Sequence, residues 1–256
     1  MVKARPNPKA RTSARSMKPF YTALALIAIV GAAALAYVAS RPKAGARTLD
    51  PNLPPAKAEG YFAGNPNARV QVVEFADYEC PSCMQFATIT EPDVRTRLVE
   101  TGQIGYRFFD YPLPQHRNTM SASNTAACAN EQGKFWPMHD RIFLGQYDWN
   151  TKASRNPKGI FKGYAKEIGL DVDKWEACYD SQVHYRDIEA NRAEGERRVI
   201  NSTPTFIFGN RVRPGNIGYD EFKAIVDSVA AEAPVANTAP AVGAAATPAT
   251  GAAKPR

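Results

Sequence analysis

The chain has 256 residues, 44% hydrophobic and 22% charged, with four cysteines and a formal net charge of +7, a length that holds one domain of ordinary size plus appendages. Nine basic residues and no acidic one fall within positions 1–47 (Lys3, Arg5, Lys9, Arg11, Arg15, Lys18, Arg41, Lys43 and Arg47), which leaves −2 for everything downstream. The basic balance belongs to the flank, and a nucleic-acid-binding role loses its main support.

Residues 20–40 (FYTALALIAIVGAAALAYVAS) carry no charge. At about 1.5 Å of rise per residue they can cross a hydrocarbon layer of roughly 30 Å, and we read them as a transmembrane signal-anchor. Six basic residues precede the stretch and three follow closely, a bias that keeps segment 1–19 in the cytoplasm. The remainder is expected in the periplasm or on the outer face of the cell membrane. Val38-Ala39-Ser40 resembles the small-residue site cut in secretory signals, which leaves removal of residues 1–40 open. The apolar core is longer than the roughly 7–15 residues of a removed signal.

Pro42, Pro51, Pro54 and Pro55 punctuate residues 41–60, which read as a semi-extended spacer. The folded domain is expected over 61–232, followed by an Ala- and Pro-rich tail at 233–256 whose composition predicts disorder. Residues 70–75 (VQVVEF) are apolar on both faces apart from Gln71 and Glu74, which predicts a central strand covered on both sides. A helix is expected from Pro81 to about Thr101, with Phe86, Ile89, Val94 and Leu98 inward and a kink where Pro92 removes a backbone donor. A strand follows at 104–109. Residues 112–200 predict a mostly helical block, with helices near 118–132, 134–145, 157–168, 171–180 and 182–199. A strand at 205–208, a Gly209-Asn210 turn, a strand at 211–213 and a helix near 219–231 close the domain.

Cys80-Pro81-Ser82-Cys83 follows the first strand at once, and Thr203-Pro204-Thr205 opens a later one. Two sulfurs separated by two residues close a small disulfide ring only where the chain turns sharply, as in the first turn of a helix. Pro is favoured at the first helical position, so Cys80 becomes the N-cap and its sulfur faces the free N–H groups of Ser82 and Cys83. Those donors and the positive end of the helix dipole favour a thiolate, which makes Cys80 the expected attacking sulfur with a depressed pKa. Cys83, one turn further in, is the expected resolving thiol. The competing structural readings are an inert pair or half of a zinc knuckle. Zinc pairs normally come with a second close pair, and Cys128 and Cys178 stand fifty positions apart.

Four blocks carry a resemblance. They are Glu74-Phe75-Ala76-Asp77-Tyr78-Glu79-Cys80-Pro81-Ser82-Cys83, Tyr111-Pro112-Leu113-Pro114-Gln115-His116, Cys128-Ala129-Asn130-Glu131-Gln132-Gly133-Lys134-Phe135-Trp136 and Ser202-Thr203-Pro204-Thr205-Phe206. Through them most of residues 60–232 resembles the DsbA-like family of extracytoplasmic thiol–disulfide oxidoreductases. The resemblance implies an α/β, thioredoxin-like fold with an inserted helical domain, here preceded by one N-terminal transmembrane helix. It also implies a cis peptide before Pro204, packed against the dithiol, which exposes the Thr203 backbone beside Cys80 to an extended client segment. Glu74 matches the buried acidic position of the family, where a carboxyl near Cys83 relays its proton. From the residues alone Glu74 reads equally well as a strand-end carboxylate reaching water.

The implied activity takes no cofactor and no metal. Its partners are exported proteins with free cysteines and a membrane redox partner that reoxidises or reduces the dithiol. We read the direction as oxidation of clients. Thr203 before Pro204 is closer to the pattern of isomerases and reductases of the superfamily, so a reductase or isomerase fed electrons through the membrane stays open. A Cu(I)-binding thioredoxin-like module is a further alternative, since thiolates hold soft copper, although no Met-rich or His-rich cluster accompanies it.

Cys128 and Cys178 are small buried hydrophobes or, in an oxidising compartment, a structural disulfide within the insert. Closing that loop contributes about 4 kcal/mol in the chain-entropy model. His116, His139 and His184 fit no ligand spacing and read as surface or helix-face residues, with His116 set apart because it ends a family block. Trp136, Trp149, Trp175, Phe135, Phe143, Phe161 and Tyr164 read as core of the insert.

Overall fold

The structure is a computed structural model that describes residues 18–40 and 58–232. The expectations for residues 1–17, 41–57 and 233–256 lie outside the described residues. The chain divides into two units, Met1–Pro54 and Pro55–Arg256. The first holds helix α1 (Lys18–Ser40), of which Lys18–Tyr37 is long and apolar enough to cross a membrane, with mean hydropathy 2.0 and none of it buried within the protein.

In the second unit the apolar run from Val70 becomes the middle of a sheet. Strands β1 (Tyr61–Gly64), β2 (Val70–Ala76), β3 (Ile104–Asp110), β4 (Thr205–Phe208) and β5 (Arg211–Pro214) lie in the order β1-β3-β2-β4-β5. β2 runs parallel to β3 and antiparallel to β4, and both of its faces are covered, which is why its sequence is nearly continuously apolar. β1 escapes the sequence reading. Its four residues are too few for an alternation to register, and its existence rests on antiparallel pairing with β3.

After β2 a helix runs to Val99 in four segments. These are α2 (Pro81–Gln85), a π-helical turn (Phe86–Thr90), α3 (Glu91–Val94) and a second π-helical turn (Arg95–Val99). The sequence predicts a kink at Pro92, and the structure places a wide turn on either side of the segment that holds this proline. The expectation that Ile89 points inward is wrong, for the side chain is 67% exposed. A π-helical turn carries more residues than an α-turn, so the position in line with Phe86 falls one residue later. Thr90, Glu91 and Val94 take the inward face instead.

Between β3 and β4 stand α4 (Thr119–Asn130), α5 (Phe135–Leu144), α6 (Gln146–Trp149), α7 (Lys158–Glu167), α8 (Val172–Ser181) and α9 (Tyr185–Arg197), and α10 (Tyr219–Glu232) closes the chain. This is the thioredoxin-like sheet with an inserted helical domain that the sequence implies. Met138, Ile142, Phe143, Trp149, Phe161 and Trp175 fill the insert, whereas Trp136 is only partly buried and packs at the junction with the sheet. Cys128 on α4 and Cys178 on α8 are joined by a disulfide, with Cα atoms 5.7 Å apart. Gly195 lets α9 lie close against the sheet, since a Cβ there would come within 2.6 Å of the Tyr111 ring. The Tyr111 hydroxyl donates to the Ile200 carbonyl and ties the end of the insert back to the sheet.

Candidate active site

Pro81 opens α2, and Cys80 stands before it as the N-cap in extended conformation. The turn is fixed by its own backbone, because the Cys80 N–H donates to the Asp77 carbonyl and the Met84 N–H donates to the Cys80 carbonyl, each at 3.0 Å. Gln146 adds a brace from the insert, its amide Nε2 donating to the carbonyls of both Tyr78 and Cys80.

Cys80 keeps a thin exposure, whereas Cys83 has none. Both are thiols here. The Thr203–Pro204 peptide is cis, and the Thr203 carbonyl accepts from the Cys80 thiol at 3.5 Å. The Cys80 pKa is lowered to about 6. The Cys83 thiol is the largest cause, and the Thr203 side chain and the N–H groups of Cys83 and Ser82 add to it against the opposing effect of burial. The Cys83 thiol is pushed well up, first by burial and then by its bond to Cys80 and the charge there.

Glu74 is the fifth of seven residues of β2 and 1% exposed, which overturns its reading as a strand-end carboxylate in water. β2 extends to Ala76, so Glu74 points into the domain rather than past its edge. The Tyr106 hydroxyl donates to its Oε2 atom. Its carboxyl is held well above the usual range by burial and by the charge of Glu91, and its own charge helps to raise the Cys83 thiol.

Asp77 organises the loop on the other side. Its Oδ1 accepts from the Glu79 N–H at 2.6 Å and the Thr119 hydroxyl at 2.7 Å, and its Oδ2 accepts from the Leu113 N–H at 2.7 Å. Oδ2 also lies 2.9 Å from His116 Nδ1, and this bond raises the imidazole pKa. His116 and Pro81 both line a groove of about 590 Å³ with Tyr147, Asn150 and Lys152 beyond them.

Sequence reasoning passed over Asp77 and Glu91, and it read His139 as a surface or helix-face residue; it stands on α5 and is fully buried. Asp77 lies within the cysteine block, but nothing local marks a loop aspartate that takes bonds from four places. Groups that could gather a metal ion among the described residues are Cys128, Cys178 and His184, and Glu91, His139 and Asp140; neither includes Cys80 or Cys83. In the first group both sulfurs are spent in the disulfide.

A family model described as thioredoxin matches residues 57–228. The Na(+)/H(+) antiporter NhaA 3 of Salinispora tropica is 30% identical over 174 residues, covering 68% of this chain and 25% of that protein. The chain thus spans about a quarter of the length of the first curated relatives it matches. Disulfide bond formation protein D of Bacillus subtilis is 24% identical over 166 residues, or 64% of this chain and 74% of that protein. Among solved structures, alpha-DsbA1 of Wolbachia pipientis shares the fold at TM-score 0.62 and 18% identity, over 70% of this chain and 94% of that one.

Proposed function

Since the chain belongs to the thioredoxin family, we propose that it is a membrane-anchored, extracytoplasmic thiol–disulfide oxidoreductase that introduces disulfides into exported proteins through Cys80 and Cys83. The observation that carries this reading is the contrast between the two sulfurs. Cys80 opens a helix with its pKa lowered to about 6, and Cys83 is sealed behind it with its thiol pushed up. The name of the Bacillus subtilis relative supports the oxidising direction.

In the oxidised protein a client thiolate attacks Cys80 Sγ. The Cys80–Cys83 bond breaks, a client–Cys80 disulfide forms, and the electron pair leaves on Cys83 Sγ, which takes up a proton. The client's second thiolate then attacks the client sulfur of that mixed disulfide and releases Cys80 as a thiolate. A stabilised Cys80 thiolate favours the dithiol product, and that makes the disulfide form oxidising. Glu74, whose carboxyl burial holds well above the usual range, is the proton donor to Cys83, and the Tyr106 hydroxyl stabilises the carboxylate left behind. The Thr203 backbone beside Cys80 receives the client segment by strand pairing. A membrane redox partner takes the electrons from the dithiol and restores the disulfide.

In this proposal residues 1–19 lie in the cytoplasm and 20–40 form the anchor, and the catalytic domain spans 61–232 with its insert at about 112–200. The Cys128–Cys178 disulfide suits an oxidising compartment. Expressed in the native host, Cys83→Ser should trap clients as mixed disulfides on Cys80 and Cys80→Ser should trap none; equal trapping by the two variants refutes the assignment.

A further inference from the structure

The Cys128–Cys178 disulfide has a neighbour that a purely structural crosslink does not use. A ring nitrogen of His184 lies within 4.8 Å of both sulfurs. The residues around this point come from two helices and the turn after the second. Cys128 near the end of α4 and Glu131 at its C-cap stand three positions apart and share a face. Cys178 lies in the last turn of α8, and His184 is the N-cap of α9, at the end of the turn that joins them. Glu131 Oε1 lies 2.9 Å from His184 Nε2. A carboxylate only accepts, so this Nε2 carries a hydrogen, and in the neutral ring the lone pair is on Nδ1. Asp187 Oδ2 stands 3.8 Å from Nδ1, beyond hydrogen-bond reach.

Two thiolates and an imidazole are a donor set for zinc, and a carboxylate on the far ring nitrogen is the outer partner that such a histidine ligand takes. Bonds of about 2.0–2.3 Å to a tetrahedral ion put ligand atoms roughly 3.5–3.8 Å apart, about 1 Å inside the limit within which these three already lie. The helices are also held together without the disulfide. Trp175 Nε1 on α8 donates to the Thr125 carbonyl of α4 at 3.3 Å, and Asn124 Nδ2 on α4 donates to the Tyr179 carbonyl at 3.0 Å. We propose that in the chain's dithiol state Cys128, Cys178 and His184 bind a zinc ion, with Glu131 orienting the ring and water in the fourth position. Cys128 is sealed, but His184 is partly exposed and Glu131 and Asp187 are exposed, so the ion arrives from the solvent side past two carboxylates. Binding releases the two thiol protons. The site lasts until oxidation. A disulfide-bearing oxidant then takes two electrons from the thiolates and two protons from solvent, becoming a dithiol, while Cys128–Cys178 closes and the zinc leaves. The ion thus clamps α4 to α8 in the interval before the crosslink forms.

The test uses the full chain in detergent micelles carrying Cys80→Ser and Cys83→Ser, which leaves Cys128 and Cys178 as its cysteines. The protein is reduced, freed of reductant under nitrogen and titrated with cobalt(II) as the spectroscopic probe. Thiolate-to-cobalt absorption in the near ultraviolet and visible bands of tetrahedral strength should saturate at one ion per chain and vanish when zinc is added. The same protein with its disulfide closed should show neither. Competition with a chromogenic chelator then gives the zinc affinity. Glu131→Gln should weaken it about tenfold or more, and His184→Ala more than that, since a ligand is lost rather than its outer partner. A reduced chain without the thiolate band overturns the proposal, and so does an affinity that His184→Ala leaves unchanged. If the reduced chain loses its far-ultraviolet circular dichroism, zinc should restore it, and in His184→Ala it should not; a chain that zinc does not restore also overturns the proposal. Client trapping is read on Cys80, so its failure sinks the oxidase reading and leaves this result standing.

Discussion

The Cys80 sulfur lies 3.5 Å from the Thr203 carbonyl oxygen, which brings together two residues 123 positions apart. The Thr203 hydroxyl is buried without a well-formed hydrogen bond, and the Thr203 side chain contributes to the lowered Cys80 pKa. Thr203→Val keeps the shape and removes the hydroxyl. The Cys80 pKa should then move up toward the ordinary thiol value of about 8.5, and alkylation near pH 6 should slow about three- to tenfold. Mass spectrometry of the alkylated protein reads both rates.

Asp77 serves four donors from separate segments, and Asp77→Asn turns an amide toward some of them. We expect a loss of about 3–5 kcal/mol in chemical denaturation. The His116 pKa, raised chiefly by its bond to Asp77, should return toward about 6.5 in an NMR titration of the variant. The His116–Asp77 pair contributes its stability below the unfolded histidine pKa and loses it as pH rises through the folded value.

Asp110 on β3 is fully buried, with Asn191 Nδ2 donating to its Oδ2 at 3.2 Å, and burial raises its pKa from 3.8 to about 6. A carboxyl raised by folding favours the native state while protonated, so its contribution is full below pH 4 and fades as pH rises through about 6. Asp110→Asn should therefore gain on the wild type between pH 4 and pH 7, by on the order of 2–3 kcal/mol. Denaturation curves at several pH values test this, and a constant difference would count against it.

Cys128 and Cys178 close a loop of fifty residues between α4 and α8. Replacing both with Ala should lower stability by about 4 kcal/mol on the chain-entropy account, without changing the rate at which Cys80 is alkylated. Denaturant midpoints and alkylation rates of the double variant separate the two effects.

The sequence exposed what is local or strongly patterned. The apolar β2 run, the proline at the first position of α2 and the helices of the insert are each set by neighbours within a few residues, and they stand close to where the pattern puts them. What it hid depends on distant partners. β1 exists through its pairing with β3, and Glu91 and His139 meet across 48 positions with nothing in either stretch to mark the pair. Ile89 was misplaced because a helical period assumes α-turns, and the wide turn at Phe86–Thr90 shifts the inward face.

The most direct measurement is the rate of Cys80 alkylation in the reduced full chain across a pH series. Cys83 is sealed and stays silent. The account predicts a midpoint near 6, set by the Cys83 thiol, the Thr203 side chain and the N–H groups at the start of α2. A midpoint near 8.5, as for an ordinary free thiol, or a Cys80 that does not react at all, would contradict it.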